Sequence, residues 1–255
     1  MVTGGSRGIG RAIAAAFIEA GARVIITARG EEALQEAAKE LGPLAIARTC
    51  DNADPAQIEG MIADAWRLGP IDILVNNAGV SPYYRRAEHV SLEEWDDVID
   101  VNLRGTYFCS TEAAKRMIEA NRPGAIINVS SVAGIATLER LGVYSAAKAG
   151  IHQLTRVMAL EWAEKGIRVN AIAPGWTETD FTGELFASRF GDGLRASLDT
   201  LNPNADRIVG ALANDPAAVL FGPGRDTPGQ QNPVMPGLDP GIHSVTFRPV
   251  EALME

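Results

Sequence analysis

The sequence is poor in the residues that build metal centres and disulfide scaffolds, with only two cysteines and three histidines in 255 residues. Cys50 and Cys109 stand far apart, with no CxxC and no Cys/His pairing, so neither a disulfide framework nor a metal site is expected. No apolar run reaches the roughly 18 residues that a membrane span requires, and no charged start with apolar stretch and cleavage site marks a leader. Basic runs are missing too. With 23 Lys+Arg against 32 Asp+Glu the net charge is −9 and the pI is near 5.0, which argues against nucleic acid and membrane surfaces as partners. A soluble, cytoplasmic protein is expected.

What the sequence does have is a 46% hydrophobic content, enough for one sizeable core. Short β-branched runs alternate with longer segments whose apolar residues recur at three and four, the pattern of βαβ units and a parallel sheet. Strands are predicted over 24–27, 44–49, 71–75, 125–129 and 168–172, each apolar on both faces, with a stub at 1–3. Helices are predicted over 10–20, 31–41, 55–68, 92–120 and 143–164. The fold class is therefore α/β, a doubly wound parallel sheet with helices on both faces. After Thr182 the periodicity weakens, and from Phe221 glycine and proline dominate. This divides the chain into a core over 1–180, a substrate lid or connection over 181–220, and an irregular or disordered tail over 221–255.

The stub runs into a glycine loop, Gly4, Gly5, Ser6, Arg7, Gly8, Ile9 and Gly10, and then into a helix. Glycines let backbone approach a diphosphate, and free amides at a helix N-terminus favour its charge. The same spacing also suits a plain βα turn. At the end of the second strand, where an NAD-binding chain offers an acid to the adenosine ribose, stand Ala28 and Arg29. With no carboxylate to repel a 2′-phosphate, and Arg29 and Arg7 to pair with one, NADP(H) is favoured over NAD(H). Solvated surface charge is the other reading of both arginines.

Asp51, and the run Asn76, Asn77, Ala78 and Gly79, fall at the carboxyl ends of strands, where open α/β sheets bind ligands. Asp51 is placed to accept from an adenine amino group, or to serve a turn before the following helix. The asparagines are expected to tie neighbouring loops together. Tyr144 and Lys148 are four residues apart, so on a helix they share a face, and an ammonium beside a phenol favours phenolate. A phenol tuned in this way serves as acid or base. Ser131 supplies a hydroxyl able to polarise a carbonyl.

Taken in order, Thr3 to Gly10, Asn76 to Gly79, Asn102, Ser131, Tyr144 with Lys148, and Pro174-Gly175 resemble the short-chain dehydrogenase/reductase family over residues 1 to about 180. The run from Val169 to Thr179 looks most like bacterial 3-oxoacyl-carrier-protein reductases and their sugar and polyol dehydrogenase cousins. The resemblance implies a single-domain Rossmann fold and an NADP(H)-dependent oxidoreductase. It further implies that Tyr144 passes a proton to the substrate oxygen, Lys148 holds the nicotinamide ribose, and Ser131 bonds the same oxygen. Asn102 would kink its helix and hold a relay water. Pro174 and Gly175 would line the nicotinamide, with Thr177 and Thr179 near its carboxamide and the phosphates.

The substrate would be a small carbonyl or alcohol, alone or bound to an acyl carrier, for which Arg85, Arg86 and Arg140 are candidate basic surface. A homodimer or homotetramer is implied, through the two long helices and the small residues Ala146, Ala147 and Ala149. Two departures stand out. Only Met1 and Val2 precede Thr3, so the first strand is short, as a late start or a trimmed chain would make it. The region after Thr182 lacks the family's usual ending and is expected to have left its reading frame. A sugar or polyol dehydrogenase and a non-catalytic NADP(H)-binding relative are the competing functions.

Overall fold

In a computed structural model of the protein, residues 1–136 and 138–175 are described. The expected lid and tail, with Thr177 and Thr179, lie outside them. Six parallel strands form one sheet in the order β3-β2-β1-β4-β5-β6: β1 (Val2–Thr3), β2 (Val24–Ala28), β3 (Ala45–Thr49), β4 (Ile73–Asn76), β5 (Gly124–Val129) and β6 (Ile167–Ile172). The order reverses between β1 and β4, and the crevice at such a switch point is where doubly wound sheets bind ligands. Short as it is, β1 lies in the middle. Val2 pairs with Ile26 on one side and Val75 on the other, and Thr3 pairs with Thr27.

The helices are α1 (Gly8–Glu19), α2 (Glu31–Leu41), α3 (Pro55–Leu68), α4 (Leu92–Ile99), α5 (Thr106–Glu119) and α6 (Gly142–Trp162). Local sequence explains their starts. Asp54 caps α3 by accepting from the amides of Ala56 and Gln57, with Pro55 in the first turn. Ser91 and Glu94 form a reciprocal capping box on α4. On one face of the sheet α3 and α5 bury Ile58, Ile62, Cys109, Ala113 and Met117 against Leu74 and Ile126. On the other, α1 and α2 bury Ile13, Phe17 and Leu34 against Val24, Ile26 and Val75. Each fully buried aliphatic side chain contributes about 1.5–3 kcal/mol, so truncating Ile62, which is fully buried, costs roughly 2–5 kcal/mol.

Two expectations are corrected. The single helix over 92–120 is two helices joined by a π-helical segment, Asp100–Gly105. Gly105 lies so close to Asn52 that a Cβ there would fall 2.3 Å from the Asn52 carbonyl oxygen. Thr106 donates its hydroxyl to the Asn102 carbonyl at 2.7 Å, a local bond that competes with the regular ladder. Nor is every strand apolar on both faces: β3 is an edge strand with no fully buried residue, and Arg168 of β6 is exposed. Among the described residues no helix is long and apolar enough to cross a membrane.

Candidate active site

At the carboxyl edge of β1, the glycine loop and the Asn76–Gly79 loop are built into one another. The Thr3 hydroxyl accepts from the amides of Asn77 and Ala78, both at 3.0 Å. The Asn77 carboxamide donates to the carbonyls of Thr3 and Gly4, at 3.0 and 3.1 Å. Gly4 has a φ of +65°, and a Cβ on Gly10 would lie 2.3 Å from both Asn77 Nδ2 and the Gly4 carbonyl oxygen. Only glycine fits either place. The expectation that Asn77 ties loops together holds, and Thr3, which sequence reasoning passed over, is its partner.

Unlike α3 and α4, α1 begins without a cap. Arg7 stands at its N-cap position with no side-chain hydrogen bond, and no acid occupies the first turn. Its leading amides and dipole are therefore open to an anion. Arg7 and Arg29 are both exposed and make no ion pair with described residues. Asp51 Oδ1 accepts from the Ala53 amide at 2.9 Å, a bond that serves the turn before α3.

Asn76 lies one layer below. Its Nδ2 donates to Ser110 Oγ at 2.8 Å and to Asn128 Oδ1 at 2.9 Å, and Asn128 Nδ2 donates to Thr155 Oγ1 at 2.9 Å. All four are buried, so this polar chain fixes β4 and β5 against α5 and α6. Ser110 and Thr155 carry no sequence signal beyond being polar on faces that should be apolar.

Above this layer Ser131, Asn102, Lys148 and Tyr144 converge. Asn102 is fully buried in the π-helical segment, and its carboxamide grips Val80 at both the amide and the carbonyl. Gly79 sits against it: a Cβ there would lie 2.6 Å from Asn102 Oδ1 and 3.5 Å from Lys148 Nζ. Lys148 is buried and donates to the Val129 carbonyl at 2.8 Å, while its own carbonyl accepts from Ser130 Oγ at 2.9 Å. Its Nζ stands 5.6 Å from the centre of the Tyr144 ring. Ser131 Oγ accepts from the Ala133 amide at 3.1 Å, and the Pro174 carbonyl accepts from Val132, which brings Pro174 and Gly175 beside the serine turn.

The electrostatics correct one expectation. Burial raises the Tyr144 pKa above its ordinary value, and the Ser131 hydrogen bond opposes that rise. Burial lowers Lys148 from 10.5 to about 8. In the chain by itself burial is the larger influence on Tyr144, and what opposes it is the Ser131 hydrogen bond rather than the ammonium. Of the candidate basic residues, Arg85 pairs with Glu94 at 3.0 Å, and Arg86 and Arg140 share Glu139 at 3.7 and 3.9 Å.

Residues 1–189 match the short chain dehydrogenase family. A D-threitol dehydrogenase of Mycolicibacterium smegmatis is 37% identical over 230 residues, 87% of this chain and 88% of that protein. A 3-oxoacyl-(acyl-carrier-protein) reductase of Staphylococcus aureus is 37% identical over 235 residues, 87% of this chain and 93% of that protein. Among solved structures, an actinorhodin polyketide ketoreductase with NADPH superposes with a TM-score of 0.72 at 34% identity, covering 87% of this chain and 89% of that one. A 3-ketoacyl-(acyl-carrier-protein) reductase from Brucella melitensis complexed with NADH gives 0.68 at 32% identity, covering 70% and 75%.

Proposed function

The chain belongs to the short-chain dehydrogenase family and acts as an oxidoreductase on CH–OH and C=O groups, and from that premise we propose Tyr144 as its acid and base and NADP(H) as its preferred cofactor. The observation that carries this reading is the convergence of Tyr144, Lys148 and Ser131 beside Gly79 and the Asn102 clamp. The uncapped α1 and the Gly4–Gly10 cradle fit a dinucleotide diphosphate. When bound, the nicotinamide supplies or accepts the hydride.

The chain's own residues do the rest. The first-turn amides of α1, in the loop of Gly4, Ser6, Arg7, Gly8, Ile9 and Gly10, hold the diphosphate. Arg7 and Arg29 pair with the 2′-phosphate, for which Ala28 leaves no competing acid. Asp51 stands toward the adenine end; Asn77, Ala78 and Gly79, with Pro174 and Gly175, line the remainder. Lys148 holds ribose hydroxyls, and Ser131 and Tyr144 receive the substrate oxygen. In reduction the phenol proton moves to that oxygen as the carbonyl carbon takes the hydride, and solvent reprotonates Tyr144.

The relatives' printed activities support two substrate branches, carrier-bound 3-oxoacyl groups and sugars or polyols. The exposed apolar residues Tyr107, Ile118, Val157 and Leu160 on α5 and α6 favour a homodimer or homotetramer over a monomer; light scattering tests this. A non-catalytic binder is disfavoured because Ser131, Tyr144 and Lys148 are all present. The deciding experiment titrates the chain with NADPH and NADH by fluorescence and compares turnover with Tyr144→Phe. The reading requires NADPH-selective binding and a loss of about 10²–10⁴-fold in the variant. Turnover unaffected by the substitution overturns it.

A further inference from the structure

Tyr144 also borders a small hollow of about 20 Å³, open to solvent, whose wall includes Ser81, Tyr83, Arg85, Arg140 and Glu94. Two separate segments meet in that wall. The amide of Arg85 donates to the Arg140 carbonyl at 3.1 Å, and Arg85 bridges in parallel to Leu141, so the loop after β4 is laced to the turn that launches the helix of Tyr144. The backbones of the two arginines are therefore joined beside the turn that leads into the helix of Tyr144.

Arg140 adopts a φ of +66°, a region that favours glycine and asparagine. An arginine held there is strained, and such strain gathers at ligand sites. Arg85 donates its Nε to Glu94 at 3.0 Å. The other Glu94 oxygen accepts from the Ser91 amide at 3.1 Å. The pair therefore aims the guanidinium, and no hydrogen bond among the described residues engages its two Nη groups. Arg140 is 3.9 Å from the exposed Glu139, a contact that a ligand exchanges at little cost. The other nearby acid, Asp97, accepts from the Tyr83 hydroxyl at 2.5 Å. On a chain of net charge −9, the wall beside Tyr144 holds two cations and one acid.

Resting on the proposed hydride transfer at Tyr144, we propose that Arg85 and Arg140 form a carboxylate clamp, so that the enzyme selects small oxo- or hydroxycarboxylates. Guanidinium groups take carboxylates through paired, charge-assisted hydrogen bonds that no neutral polyol offers. The aimed Arg85 fork and the strained Arg140 fix the anionic end of the substrate, leaving its carbonyl or alcohol carbon toward Tyr144.

The test compares acetoacetate with acetoacetamide, which differ in charge and little else, as substrates of the full chain with NADPH or NADH. Arg140→Gly is the first variant, because glycine accepts the positive φ and the turn is kept; Arg85→Gln is the second. A preference for acetoacetate of tenfold or more in kcat/KM, falling to within twofold in both variants and carried by KM, is the expected result. Equal use of the two probes, or a preference that survives both substitutions, overturns the clamp while leaving hydride transfer standing. If neither probe turns over, binding to the Tyr144→Phe chain by saturation-transfer NMR decides. Acetoacetate-selective binding lost in Arg140→Gly then keeps the clamp and places the failure in the hydride-transfer reading, and unselective or absent binding overturns the clamp.

Discussion

The carboxamide of Asn102 closes on the backbone of Val80 at both ends, Oδ1 accepting from the amide at 2.9 Å and Nδ2 donating to the carbonyl at 2.7 Å. A side chain paired in this way satisfies both backbone groups of Val80. It holds the loop carrying Gly79 within contact distance of Lys148, and it does so from the only irregular turn of its helix pair among the described residues.

Removing that grip leaves two backbone groups of Val80 without their partners at a half-buried site. Asn102→Ala is expected to cost roughly 1–3 kcal/mol of stability and to weaken cofactor binding by displacing Gly79. Urea denaturation measures the first and a fluorescence titration the second; hydrogen exchange should show the Val80 amide opening faster in the variant. Unchanged exchange at Val80 removes the clamp from the account.

The buried chain from Ser110 through Asn76 and Asn128 to Thr155 makes a second prediction. Thr155→Val keeps the shape, removes the acceptor of Asn128 Nδ2, and takes away the hydroxyl that donates to the Ile151 carbonyl at 2.7 Å. A loss of about 1–3 kcal/mol is expected, read as a lower urea midpoint at unchanged slope. Thr155→Ser retains both bonds and should recover most of the difference.

These two sites mark what could and could not be read in advance. The parallel α/β architecture, the glycine cradle and the Tyr144/Lys148 face are legible because each follows from local pattern: alternation of elements, glycine spacing and a separation of four on a helix. The Asn76–Asn128 pair was not, since only the register of β4 on β5 sets those two residues opposite each other. The break of 92–120 into two helices shows in the sequence only through the resemblance, which implies a kink at Asn102, and not through periodicity. Gly105, at its end, lies against Asn52, more than fifty residues away in sequence, and no window of periodicity contains that contact. Sequence placed Asn102 correctly in the middle of that long segment, while the partner it holds emerges only from the fold.

Ser131 and Tyr144 supply a prediction in pH. Burial raises the phenol, and the Ser131 hydrogen bond lowers it. In the oxidative direction the deprotonated phenol is the base, so the rate climbs as pH rises through its pKa. Ser131→Ala takes away the lowering contribution and should move that climb to higher pH, with a fall in kcat of about 10²-fold or more. A profile that falls in height without moving contradicts the hydrogen bond's assigned effect.

The proposed cofactor preference rests on the end of β2. Ala28 and Arg29 put a cation where an acid would otherwise receive ribose hydroxyls, and Arg29 makes no ion pair with described residues. Arg29→Glu should abolish the NADPH preference by repelling the 2′-phosphate, shifting the ratio of NADPH to NADH affinity by tenfold or more, about 1.4 kcal/mol. The fold should be untouched, because the position is exposed. Melting curves that superpose while the two titrations exchange order complete the test.

Lys148 offers a measurement that needs no substrate. Its ammonium is buried, and burial lowers its pKa from 10.5 to about 8. Between these values the unfolded chain binds a proton that the folded chain does not, so stability rises as pH climbs from 8 to 10.5, and below 8 the full cost of the buried ammonium is present. The interval corresponds to on the order of 3 kcal/mol. Lys148→Met keeps the apolar stem, removes the charge, and leaves the Val129 carbonyl without its donor, which offsets part of the gain. The variant should therefore be the more stable chain at pH 7, and its advantage should shrink steadily to pH 10.5. Denaturation at a series of pH values reads the difference directly. A constant difference would mean that Lys148 titrates alike in both states, and that the low-dielectric surroundings assigned to it do not exist.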